Sequence, residues 1–364
     1  MYLKNSKIIV IKIGSALIVD SNKKIRKKWL SSFAKDIQKL KDKNQKIVIV
    51  SSGAIALGCK KMNFNKKSIK LDKSQAIASI GQIELMNLFS QTFTKYKLNI
   101  SQILLTLEDT EERRRSLNAK RTFENLFDLG FIPIVNENDT TATAEIKYGD
   151  NDRLAARVAQ IIGADTLVIL SDVNGLYDRS KKKKIISTVN KIDEKINSLI
   201  NSKKNIYGSG GISTKLDAAK ICINSGCNMF LANGKINNPL KNMMKNKIYT
   251  HFVPKISNLD AKKKWIIGSL NSTGVIYVDQ GASRALNNGK SLLAAGITKI
   301  TGFFDKGENV LVVDQNEKYL ARGLASFNSK EINKIKGKQS KEIEKILGYL
   351  SKSEIIHKDD MVLL

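Results

Sequence analysis

Two short polar clusters, Asn136-Glu137-Asn138-Asp139 and Gly149-Asp150-Asn151-Asp152, gather carboxylates, carboxamides and threonines onto turns flanked by apolar runs. Function is to be sought there. Three further stretches carry groups that hold anions. Lys12-Ile13-Gly14-Ser15 puts a lysine at the mouth of a turn, and Ser51-Ser52-Gly53-Ala54-Ile55-Ala56 is a run of small residues entering a helix. Small residues let backbone N–H groups at a helix start approach a bound phosphate or carboxylate, although tight packing explains such a turn about as often. Gly208-Ser209-Gly210-Gly211-Ile212-Ser213-Thr214-Lys215 adds glycines for close approach and a lysine in the first turn of a helix. There the positive end of the helix dipole already favours anions. No GxxxxGK[ST] spacing occurs, so any phosphate chemistry belongs to another class than the Walker A loop.

The elements that must position these groups are readable in order. Residues 8–13 form a continuous, β-branched apolar run that suits a strand buried on both faces, and 47–50 form a second. Between them, 24–41 place Ile25, Trp29, Leu30, Phe33, Ile37 and Leu40 at helical spacing. Strand, helix, strand in that order implies a parallel sheet with right-handed crossovers. Helices at 74–93 and 113–129 and strands at 102–105, 131–135 and 166–170 continue the pattern. Pro133 cannot donate to a ladder and marks an edge or a strand start. An Ala-rich amphipathic run at 154–162 makes the second polar cluster a loop opening a helix. Lys12, Ser52, Asn136 to Asp139 and Ser171-Asp172 all fall at the carboxyl ends of strands, the side on which open α/β sheets bind ligands.

Near Asp260 the pattern changes to short β-like runs at 275–278, 297–302, 308–313 and 319–326, separated by glycine turns. The expected organisation is a catalytic α/β domain at 1–258 with an open, mainly parallel sheet sandwiched by helices. A basic linker follows at 259–273, then a small β-rich domain at 274–364. At 364 residues, two domains each have enough chain for a core.

Composition excludes several classes. No run of 18 apolar residues or cleavage-like leader appears, so neither a membrane span nor a signal peptide is expected and the cytoplasm is. Cys59, Cys222 and Cys227 lack CxxC spacing, which argues against a disulfide framework or a zinc site. The net charge of +28 invites a nucleic-acid partner, yet residues 274–364 carry 14 basic and 11 acidic residues, a net of +3. Only 10 of the 62 basic residues are arginine, the side chain best suited to phosphate and base recognition. Nucleic acid is therefore not expected as the main partner, and the Lys181 to Lys184 run reads as a solvated loop.

The five stretches together, with Ile146-Lys147-Tyr148 inside the polar block and Ile356-His357-Lys358-Asp359-Asp360-Met361-Val362 at the end, resemble the glutamate 5-kinases of the amino-acid kinase family. The resemblance spans essentially the whole chain. Gly281-Ala282-Ser283-Arg284 and Ser291-Leu292-Leu293 resemble a PUA domain, an RNA-binding module in other proteins. The kinase resemblance implies ATP-dependent phosphorylation of the γ-carboxylate of L-glutamate, the first step of proline biosynthesis. Mg²⁺ is carried with ATP, and the chain assembles as a homo-oligomer, dimer or tetramer. A sister kinase with another carboxylate substrate, or an RNA-binding role through the C-terminal module, are the alternatives.

By the same resemblance, Lys12 and Lys215 neutralise the phosphates and Asp152 organises their ammonium groups. Ser52, Gly53, Asn136, Asp139, Asp150 and Asn151 bind glutamate. Lys12, Gly14, Ser171, Asp172, Ser209, Gly210, Gly211, Ile212, Ser213, Thr214 and Lys215 line the nucleotide. No residue is implied as a dedicated metal ligand. The chain departs from the family pattern at Ala16, Ser171 and Ser209, which bears on how the nucleotide loops hold adenine.

Overall fold

The computed structural model describes residues 2–20, 22, 24–64, 70–141, 151–178, 184–194, 196, 211–254, 273–349 and 353–364. Asp150, Ser209, Gly210 and the expected linker up to residue 272 lie outside them. The chain divides into two compact units, Met1–Asn258 and Leu259–Leu364.

The first unit is built on strands β1 (Ile8–Ile13), β2 (Lys46–Ser51), β3 (Ile100–Leu105), β4 (Ile132–Glu137) and β5 (Thr166–Ser171). A small antiparallel ribbon, β6 (Tyr177–Asp178) and β7 (Lys184–Ile185), follows, then β8 (Thr188–Val189), β9 (Asn228–Asn233) and β10 (Thr250–Phe252). The sheet order is β3-β4-β2-β1-β5-β9-β10-β8, parallel except between β9 and β10. The chain runs outward from β1 through β2 to the edge strand β3, sets β4 between β3 and β2, then crosses to β5 on the other side of β1. The crevice at such a reversal is where ligands of open sheets bind.

Strand parity decides which face Lys12 serves, because successive side chains point to opposite sides. Ile9, Ile11 and Ile13 join the core containing Trp29, Phe33 and Phe89. Val10 joins the opposite core with Leu154, Ala155 and Leu216. Lys12, in step with Val10, thus lies on the face covered by helices Asn151–Ile162 and Ile212–Asn224.

Pro133 lies in β4, between β3 and β2 and so not at an edge, but it is only the second residue of its strand. Pairing with β2 begins at Ile134, so the missing N–H falls before that ladder starts. The helix expected at 154–162 begins at Asn151, which takes Asn151 and Asp152 into its first turn.

The second unit contains a five-stranded sheet, β13-β11-β14-β15-β17, from β11 (Gly274–Val278), β13 (Ile297–Gly302), β14 (Asn309–Val313), β15 (Tyr319–Leu324) and β17 (Met361–Leu363). A two-stranded pair joins β12 (Leu292–Leu293) and β16 (Glu354–Ile356). Among the described residues three α-helices accompany them: Gln280–Asn287, Ser329–Ile335 and Ser340–Leu347. Asp279 caps the first by accepting from Ala282 N at 2.7 Å, and Asn328 with Glu331 forms a capping box on the second. Among the described residues no helix is long and apolar enough to cross a membrane.

Candidate active site

The Asn151–Ile162 helix carries Asp152 in its first turn, where the dipole favours a carboxylate. Asp152 is fully buried. Its Oδ1 forms an ion pair with Lys12 Nζ at 2.7 Å, and its Oδ2 one with Lys215 Nζ at 3.1 Å. Both lysines are nearly buried, at 8% and 6% exposure, so each ammonium has little water to replace the carboxylate. Burial pushes the Asp152 carboxyl up, but the two ammonium charges outweigh it and hold its pKa at about 2. The Thr214 hydroxyl lies 3.1 Å from Asp152 Oδ2 and 2.9 Å from Gly211 O. Thr214, expected only at the nucleotide, thus also touches the charged cluster.

Next along the helix start, Asn151 is tied to two strand ends. Its Nδ2 donates to Ser52 Oγ at 2.7 Å, to Ser51 O at 3.3 Å and to Asn136 Oδ1 at 3.2 Å. Asn136, buried at the end of β4, donates its own Nδ2 to Gln82 Oε1 at 2.9 Å. Asn138 holds the turn that follows: its Oδ1 accepts from Thr140 Oγ1 at 2.7 Å and its O accepts from Thr141 N at 3.1 Å. Asp139 takes no part in that turn bonding. Burial raises its carboxyl to about 6.

Glycines open the helices around this edge. Gly53 adopts φ +126°, a backbone conformation that side chains rarely take, and N-caps Ala54–Lys61 without a side-chain bond. Gly211 likewise N-caps Ile212–Asn224 with no side-chain cap. The first N–H groups of both helices are therefore not taken by cap side chains and can serve an anion. A methyl on Gly14 would sit 3.9 Å from Lys12 Nζ.

The structure brings Lys12, Asp152, Lys215 and Thr214 together, and joins Ser52, Asn136 and Asn151 into a second group. Ser171 and Asp172 bond to one another at 3.1 Å, and Asp172 is exposed. Ile212 is half-buried and Ser213 exposed on the turn before Lys215. Among the described residues no three His, Cys, Asp or Glu side chains gather as a metal site. Both oxygens of Asp152 already face ammonium groups.

Sequence reasoning misses Gln82. It sits in helix Leu71–Phe93 beside Gly81, where a methyl would run into the backbone of Ala54 and Gly58. Gly58 in turn leaves no room for a methyl against Ile77. Two glycines thus let helices Ala54–Lys61 and Leu71–Phe93 meet backbone to backbone, which brings Gln82 within reach of Asn136. The available signal is a pair of isolated glycines inside helical patterns, which marks a close approach.

The chain is similar to known proteins along its whole length. The model of the amino acid kinase family matches residues 7–233, and that of the PUA domain matches residues 274–347. A protein of Pelagibacter ubique named glutamate 5-kinase is 63% identical over 366 aligned positions, covering 100% of both chains. Glutamate 5-kinases of Paramagnetospirillum magneticum and Bartonella henselae are 44% and 46% identical over 99% of this chain, covering 99% and 96% of their own lengths.

Proposed function

The chain belongs to the amino acid kinase family and carries a C-terminal PUA domain, and from that premise we propose that it phosphorylates the γ-carboxylate of L-glutamate with ATP, the first step of proline biosynthesis. The observation that carries the reading is the buried carboxylate of Asp152 held between two lysines at 2.7 and 3.1 Å, beside a network of side-chain amides.

A γ-carboxylate is ionised at neutral pH, so no general base is needed. One of its oxygens attacks the γ-phosphorus of ATP, the bond from that phosphorus to the β,γ-bridging oxygen breaks, and ADP leaves with that electron pair. The barrier lies in bringing two anions together and in the charge spread over the equatorial oxygens of the phosphoryl group. Lys12 and Lys215 meet that charge from the end of β1 and the first turn of Ile212–Asn224. Asp152 keeps the two ammonium groups from separating and aims them. The helix starts at Gly53 and Gly211 add backbone donors.

Asn136, Asp139, Asn151, Ser52 and Gly53, with Asp150, hold glutamate, and Asp139 takes its α-ammonium. Ser171, Asp172, Gly14 and residues 209–215 line the nucleotide. Mg²⁺ carried with ATP would supply neutralisation of phosphate charge, and no side chain of the cluster is assigned to hold it. The donor set fits that role, since the one carboxylate inside the cluster is already paired with lysines. A homo-oligomer, dimer or tetramer, in the cytoplasm completes this reading, and a sizing measurement checks the assembly.

Incubation with ATP, Mg²⁺ and candidate amino acids in the presence of hydroxylamine tests the reaction directly. Hydroxamate forming from L-glutamate is the expected result. Hydroxamate from aspartate but not glutamate would overturn it.

A further inference from the structure

The amide network has a direction, set by one group that cannot be reversed. Ser51 O is a backbone carbonyl and can only accept, so the end of Asn151 facing it is the NH₂ group. That NH₂ also faces Asn136, whose contacting atom must then be its oxygen. The other end of Asn136 is consequently a donor, and the Gln82 atom it meets is an oxygen. Which end of each amide is oxygen and which is nitrogen is thereby settled for all three residues by the hydrogen bonds themselves.

A relay of fixed direction has defined ends. At one end Gln82 Nε2 is a buried donor without a hydrogen-bond partner among the described residues. At the other, Asn151 Oδ1 is a buried acceptor that likewise has none among the described residues. Each such group left unmade costs stability, so a protein that keeps two of them beside a substrate site gains from a ligand that completes both. An α-amino acid offers the complement, a carboxylate that accepts and an ammonium that donates. Asp139, raised to about 6 by burial, is a third group that a bound ammonium would satisfy.

Resting on the kinase reading above, we propose that Gln82 is a specificity-determining residue whose Nε2 donates to the α-carboxylate of the amino-acid substrate. The choice of carboxylate follows from the order of the relay. Asn151 adjoins Asp152 in sequence and in the helix turn, so that end lies by the phosphoryl chemistry and the γ-carboxylate. Gln82 is two amide links farther away and meets the carboxylate that does not react.

The test compares L-glutamate with L-isoglutamine, which keeps the γ-carboxylate but has a neutral carboxamide in place of the α-carboxylate. In wild type and in Gln82→Glu, KM for glutamate and the inhibition constant of isoglutamine against glutamate phosphorylation are measured. The Glu side chain still accepts from Asn136 but turns the donor into an anion. The expected result is a rise of about 100-fold in KM for glutamate with isoglutamine binding unchanged or tighter, and KM for ATP unchanged. Equal weakening of both ligands, or of neither, overturns the assignment. If Gln82→Glu does not fold, Gln82→Met serves: it should weaken glutamate more than isoglutamine, and equal effects again refute the proposal. Absence of hydroxamate from glutamate with wild-type protein would instead overturn the kinase reading itself, so the two failures are distinguishable.

Discussion

The two halves of the site differ in how complete they are. Around Asp152 both carboxylate oxygens are paired, with two ammonium groups and a hydroxyl within 3.1 Å, and the two lysines leave the cluster positively charged. Around Asn136 the groups are connected but not finished: among the described residues the Gln82 donor and the Asn151 acceptor lack partners, and the Asp139 carboxyl is pushed up by burial. A preassembled, net positive cluster is already in place before a substrate arrives and acts on negative charge that develops later, which is how electrostatic preorganisation lowers a barrier. An unfinished network gains most when the ground-state ligand binds. The difference therefore predicts that mutations in the first half act on kcat and those in the second on KM for glutamate.

The largest effect is expected at Asp152. Asp152→Asn leaves two buried ammonium groups without their anion and should lower kcat by about 10²–10³-fold, read in a steady-state assay with both substrates saturating. The same ion pairs make a statement about acid stability. The folded pKa of about 2 lies below the ordinary 3.8, so Asp152 contributes about 2 kcal/mol above pH 4, lost as pH falls through 2. An acid-unfolding titration in which Asp152→Asn shows the wild-type loss of stability between pH 4 and 2 would contradict it.

Next comes Asp139, where a charge-assisted bond to an ammonium is at stake. Asp139→Asn should raise KM for glutamate by roughly 10- to 100-fold with little change in kcat. Its pH behaviour has the opposite sign to that of Asp152. A carboxyl raised to about 6 contributes stability below 3.8 that is lost as pH rises through 6, so its ionised form is a liability that a bound ammonium removes. KM for glutamate should accordingly climb as pH falls below about 6 in wild type and stay flat there in Asp139→Asn. A parallel climb in both would assign the titration to another group.

The smallest effect concerns Gly53. A methyl there meets nothing closer than Ile18 Cδ1 at 3.6 Å, so Gly53→Ala should cost only the strain of φ +126°, about 1–2 kcal/mol, read as a shift in thermal unfolding. A much larger shift would mean that crowding, and not backbone conformation, demands the glycine.

How legible each half is in the sequence follows from what builds it. Lys12, Asp152 and Lys215 stand in strings whose residue types and positions at strand ends and helix starts already point to anions. Strand parity, a period of two, then places Lys12 on the same face as the other two. Gln82 is not legible, because it lies in mid-helix and reaches Asn136, 54 residues later, only through the glycine-mediated approach of two helices. The sequence pattern starts the 151–162 helix too late for a related reason. Asn151 and Asp152 are polar and look like loop, but tertiary contacts to Ser52 and the two lysines hold them helical. In the C-terminal unit, helices of seven or eight residues fall below the window over which helical periodicity can be read, so only the strands stand out.

The division of labour between the two halves is tested most directly by calorimetric titration of L-glutamate into Lys215→Met. The predicted result is glutamate affinity within about threefold of wild type while phosphorylation falls by roughly 10²-fold or more. Loss of glutamate binding together with the chemistry would contradict the account, because it would make the charged cluster and the amide relay one inseparable site.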